Sequence, residues 1–160
     1  MAADERSGPA SRLSPAVGTE SVAGSATQTA SFSVGALELA LSASPGAARL
    51  VVANGEDRDI YVVEPTTLAT WAGATRRLLG LVPALGARDA VEYRGPFLID
   101  REGRASIAFE GHVAPGVVTY RLLVSGAASR VAGLMTNEEL VRSIVDAASG
   151  AVSLARLTPG

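Results

Sequence analysis

Residues 32–64 read FSVGALELALSASPGAARLVVANGEDRDIYVVE, and their alternation decides the fold class. Phe32 and Val34 alternate with Ser31 and Ser33, then Leu37, Leu39 and Leu41 alternate with Glu38, Ala40 and Ser42. A period of two is that of a strand with one buried face. The apolar parity flips between Val34 and Leu37, at Gly35, which reads as a β-bulge. Ser44-Pro45-Gly46 and Asn54-Gly55 are turn chemistry. The runs after them, Arg49 to Ala53 and Asp59 to Glu64, complete a set of antiparallel strands joined by hairpins.

Upstream, residues 1–30 hold Ala, Ser, Gly, Thr and Pro with scattered charge and no aromatic residue. Such a stretch buries too little apolar surface to offset its ordering entropy. It predicts a disordered tail over 1–30, followed by a single domain over 31–157. Downstream, Pro65-Thr66-Thr67 opens a helix with a Thr as cap. Leu68, Trp71, Ala72, Thr75, Leu78, Leu79 and Val82 share one side of it, Arg76 and Arg77 lie off that stripe, and Pro83 ends it. Trp71, the one Trp, reads as a core anchor.

The second half repeats the plan. Val91 to Arg94, Phe97 to Ile99, Ala105 to Phe109 and Val117 to Val124 read as strands around turns at Asp100–Gly103 and Ala114-Pro115-Gly116. The stretch from Gly126 to Met135 reads as either strand or loop. Thr136-Asn137-Glu138-Glu139 is a capping box with Thr136 as N-cap. The helix behind it buries Leu140, Val141, Ile144, Val145 and Ala148, carries a charged row of Glu138, Arg142 and Asp146, and closes at Gly150. The expected fold is α+β, a mainly antiparallel sheet with two helices in the order strands–helix–strands–helix.

The residue inventory removes whole chemistries. In 160 residues there is no Cys, no Lys and one His, His112. A thiolate nucleophile, a Schiff-base lysine and a P-loop lysine are excluded, and a triad has only His112 for its base. No dinucleotide, Walker or nucleophile-elbow pattern occurs, so no cofactor is expected, and no enzyme role stands out. The 14 Arg stand against 16 Asp plus Glu, a formal net charge of −2. That balance gives no global attraction to nucleic acid or anionic lipid. Arg without Lys fits a GC-rich, bacterial-like coding sequence. No apolar run reaches the length of a membrane span and no secretory leader is legible, so cytoplasm is the default expectation.

The remaining candidates are polar side chains on strands and turns. His112 follows Glu110 on the polar parity of its strand, opposite Ile107 and Phe109, with no metal or catalytic partner displayed by the sequence. Glu56-Asp57-Arg58-Asp59 and Asp100-Arg101-Glu102 read as solvated turns and lack calcium-loop spacing. Gly126-Ala127-Ala128-Ser129-Arg130 offers backbone N–H groups and Arg130 to an anion. Tyr61, Tyr93 and Tyr120 lie in strands. Tyr93 and Tyr120, with Arg94, Arg104, Arg121 and Arg130, are the candidate anion or nucleic-acid contacts, provided they share an open face. The strands-then-helix layout, used twice over roughly Phe32 to Gly150, is similar to that of the Whirly, Pur-repeat and positive-cofactor-four single-strand binders. The resemblance is one of layout without a shared motif.

Three functional expectations follow. The first is a non-catalytic interaction or structural module whose partner is a protein, foremost itself, because a small sheet exposes edges that a symmetric dimer can pair. The second is a single-stranded nucleic-acid binder. The third is a small enzyme or ligand-binding domain using carboxylate and Arg chemistry.

Overall fold

The computed structural model describes residues 16–22, 25–84, 91–126 and 134–157. Its strands are β1 (Ala16–Val22), β2 (Ser25–Val34), β3 (Leu37–Ser44), β4 (Ala47–Asn54) and β5 (Asp57–Val63), followed by helix α1 (Pro65–Ala84). Then come β6 (Val91–Arg94), β7 (Ile107–Ala114), β8 (Val117–Val124), β9 (Leu134–Thr136) and helix α2 (Glu138–Ala155). The fold is α+β, with the order strands–helix–strands–helix that the alternation predicts. The strands form two antiparallel sheets, ordered β1-β2-β3-β4-β5 and β9-β8-β7-β6.

Parity does its work in the first sheet. Leu37, Leu39, Leu41 and Ala43 of β3 are buried, while the residues between them are exposed or half-buried. Phe32 lies in register with Leu39, and Leu39 with Val52, so one apolar row crosses the strands. The flip at Gly35 is a hairpin turn rather than a bulge. Gly35 has φ +62°, a left-handed conformation that residues with a Cβ disfavour, and it separates two strands that pair Val34 with Leu37. Pairing also starts earlier than the alternation shows: β1 and the first half of β2 lie within the stretch expected to be tail. The register there runs from Ala16–Ser31 to Val22–Ser25, a ladder held by backbone groups that needs no large side chains. The rest of that stretch, residues 1–15 and 23–24, lies outside the described residues.

The helices cross over between halves. α2 lies against β2, β3 and β4 of the first sheet, α1 lies against β6 and β7 of the second, and the helices pack on each other. Leu68, Trp71, Ala72, Leu78 and Leu79 of α1 join Leu140, Val141, Ile144, Val145 and Ala148 of α2 in one core cluster with both sheets. The Trp71 and Phe109 rings sit 6.2 Å apart, centroid to centroid. Arg76 of α1 pairs with Asp146 of α2 at 3.2 Å. The amide of Gly46, in the β3–β4 turn, donates to the carbonyl of Ala155 at 2.9 Å, which fastens the end of α2 to the first sheet.

Helix ends differ from the expected ones. Asn137, not Thr136, caps α2: its side-chain oxygen accepts from the Leu140 amide at 2.8 Å. Thr136 is the last residue of β9, and its hydroxyl is buried without a partner among the described residues. α2 runs past Gly150 because Ala151, Val152 and Ala155 extend its buried face. α1 starts at Pro65, whose missing N–H costs nothing in the first turn. The carbonyl of Glu64 accepts the first helical bond, from Leu68. Pro83 lies inside the final turn, where a lost donor breaks one bond only.

Candidate functional site

The second sheet divides its polar and aromatic candidates between two faces. Tyr93 pairs in register with Gly111, and Gly111 with Tyr120. These tyrosines therefore flank Gly111 on the face that carries Phe109 and Val113 into the core. Tyr120 is buried and Tyr93 packs against the core cluster. Arg94 pairs with Glu110, and Glu110 with Arg121, so both arginines belong to the opposite face. Arg104 stands elsewhere, in the loop before β7, and Arg130 lies outside the described residues along with 127–129 of its glycine-led stretch. The described candidates, Tyr93, Tyr120, Arg94, Arg104 and Arg121, are thus divided between two faces and a loop.

Gly126, the described start of that stretch, is hemmed in. A Cβ there would stand 2.4 Å from Asp59 Oδ2 and closer still to the Tyr61 hydroxyl. Close backbone approach to the edge of β5 explains a glycine at this point.

Arg104 organises the loop between β6 and β7 instead of facing solvent as a free cation. Asp100, expected in a solvated turn, is buried; it accepts from the backbone amides of Glu102 and Arg104 at 3.0 and 2.8 Å. The Arg104 Nε donates to its other oxygen at 2.8 Å. Arg104 also donates to the Ile60 carbonyl at 2.8 Å and lies over the Tyr61 ring, 4.9 Å from its centroid. Burial pushes the Asp100 carboxyl upward, but the Arg104 amide, its guanidinium and the Glu102 amide outweigh that and hold it below the usual range. Burial, then the nearby Asp59, push the Tyr61 phenol up, against a smaller pull from Arg104. With the Arg101–Glu64 pair at 2.9 Å, this cluster ties the loop to β5.

On the face of the second sheet that carries Arg94 and Arg121, His112 is not alone. Its register partner on β6 is Glu92, and Glu110 lies two residues away on the same face. His112 Nε2 is 2.7 Å from Glu110 Oε1, and Nδ1 is 3.5 Å from Glu92 Oε1. The sequence put Glu110 and His112 on the polar parity; Glu92 joined them only through the β6–β7 register.

The edge of β6 is the last element of interest. Among the described residues its neighbour in the sheet is β7 alone. Gly95 donates to the Phe109 carbonyl at 2.8 Å, which sets the phase of the ladder. Hydrogen-bonded pairs alternate along an antiparallel ladder, so Tyr93 and Val91 bond to β7 while the amides and carbonyls of Glu92 and Arg94 point outward. Those outward groups meet no partner among the described residues. Beside this edge, between β6 and α1, lies a cleft of about 640 Å³ lined by Ala74, Leu78, Gly80, Tyr93, Gly95 and Pro96, with Arg77 and Arg94 at hand.

No protein-family model matches the sequence, and no curated protein is similar to it. No helix among the described residues is long and apolar enough to cross a membrane.

Proposed function

We propose that this chain is a non-catalytic interaction module that pairs with a second copy of itself through the edge of β6. The observation that carries the reading is the phase of that edge. Glu92 and Arg94 turn outward backbone groups that meet no partner among the described residues, and they share one face of the sheet. An antiparallel pairing of two β6 strands about a twofold axis at Tyr93 sets Glu92 of one copy opposite Arg94 of the other, twice. Each such pair exchanges two N–H···O bonds, and each brings opposite charges face to face. A one-residue shift of register would lose both features.

The cleft supports the same geometry. Tyr93 lies on the helix side of β6, so the axis brings the two Tyr93 rings together beside Leu78 and Ala74 of each copy. The pairing would merge two four-stranded sheets into one and leave no open backbone at β6. Cross-strand charge pairs contribute about 0.2–1 kcal/mol each, so the affinity must come mainly from the covered cleft and the backbone bonds.

Sedimentation velocity at low micromolar concentration tests the pairing. The chain should run as a dimer, and Glu92→Arg and Arg94→Glu should each give a folded monomer, because each places like charges opposite one another. Mixing the two variants should restore a dimer, since a β6 strand carrying two arginines then meets one carrying two glutamates. A monomeric parent chain, or single variants that remain dimeric, would overturn the assignment.

A further inference from the structure

We infer that Glu92, Glu110 and His112 form a binding site for a divalent transition-metal ion on the face of the second sheet that carries Arg94 and Arg121. One ligand atom from each residue lies within 4.8 Å of the other two. A first-row ion bound at about 2.1 Å would hold its donors roughly 3.4 Å apart in tetrahedral geometry. Small rotations about the Glu92 and Glu110 side chains close that difference, and the strand backbones need not move.

The condition of Glu110 is the second observation. Asp100 and Glu110 are the buried acids among the described residues. Asp100 is compensated by two amides and a guanidinium. Among the described residues the Glu110 carboxylate has no such shell. One of its oxygens meets His112 at 2.7 Å, while the other is 3.8 Å from Arg94 Nε, beyond hydrogen-bond reach. Arg121 stands opposite Glu110 in register yet makes no ion pair among the described residues. A buried carboxylate with so few donors is costly, and a cation shared with Glu92 and His112 removes that cost.

The donor set names the ion class. One imidazole nitrogen and two carboxylate oxygens suit borderline divalent ions such as zinc, cobalt or nickel better than calcium, which takes six to eight oxygens. Two carboxylates and a neutral imidazole balance a charge of +2. Glu92 is exposed and His112 half-buried, so the ion can enter from solvent and keep water in its remaining positions. All three side chains come from one copy of the chain, so the site does not depend on edge pairing.

Because His112 is the only histidine, its imidazole signals give an unambiguous readout in an untagged chain. Titration with zinc by calorimetry, and with cobalt by NMR, should show one saturable site. Cobalt should shift or broaden the His112 ring resonances first. His112→Ala and Glu110→Gln should each weaken binding by at least about tenfold, the lower end of what even supporting groups of metal sites cost. Glu138→Gln, on an exposed pair of α2, should leave it unchanged. No saturable binding below about 1 mM, the weak limit of physiological divalent sites, would overturn the inference. Equal binding by His112→Ala would do the same, since it places the ion on scattered carboxylates. Folding of each variant is checked by its amide spectrum, and sedimentation of the same samples keeps failure of the dimer distinct from failure of the metal site.

Discussion

At the scale of single residues, two buried acids show why composition is a poor guide to chemistry. Asp100 and Glu110 both have arginines nearby, yet Arg104 and two amides wrap the first. Arg94 stays 3.8 Å from the second, and His112 alone comes within 2.7 Å of it among the described residues. Asp100 makes a pH prediction. Its folded-state value is held below the ordinary one, so its contribution to stability is complete above the unfolded value of about 3.9 and is lost as pH falls through the folded value. Asp100→Asn should therefore destabilise the chain at neutral pH, and the gap from the parent should narrow below about pH 4. Urea denaturation of both proteins from neutral to acid pH checks this; a constant gap would show that the carboxylate charge contributes nothing. The turn at Asp100 was legible from Asp100-Arg101-Glu102-Gly103. Its burial was not, because two of the donors are backbone amides that any residue could supply.

At the scale of elements, strand parity and helical stripes were readable, whereas caps and ends were not. Thr136 satisfies the pattern of a capping box, but the chain is still paired with β8 at that point, Thr136 lying in register with Tyr120. The first residue free to turn is Asn137, which takes the cap. Gly150 looks like a stop signal, yet α2 passes through it to bury one further turn. Glycine there has no steric necessity: a Cβ would meet Gln28 at 3.6 Å, an ordinary contact. Gly150→Ala should stabilise the protein by about 0.4–1 kcal/mol through lower unfolded-state entropy. Thermal and urea unfolding measure it, and a loss of stability would mean that the approach of β2 to α2 is tighter than this spacing allows.

At the scale of the whole molecule, the exchange of helices makes the halves interdependent. The first sheet presents Leu39, Leu41 and Leu50 to a core that α2 completes from the far end of the chain. Truncation after Thr136 should abolish cooperative unfolding, since that sheet would be left with an uncovered apolar face. Circular dichroism and a denaturant melt decide the point. A truncated chain with a sharp transition near that of the parent would mean that α1 suffices for both sheets.

The sequence by itself determined what depends on neighbours along the chain. It set which residues of β3 and β8 face inward, where Gly46, Gly55 and Gly116 turn, and which sides of α1 and α2 are apolar. Side-chain direction repeats with a fixed local period, so a single strand or helix carries that information alone. Tertiary structure decided which helix covers which sheet, that Tyr93 and Tyr120 lie on the face opposite Arg94 and Arg121, and that Glu92 reaches His112. Each of these depends on the register between strands distant in sequence. A shift of one residue reverses every face, and packing across the whole core, rather than any local pattern, selects among the registers.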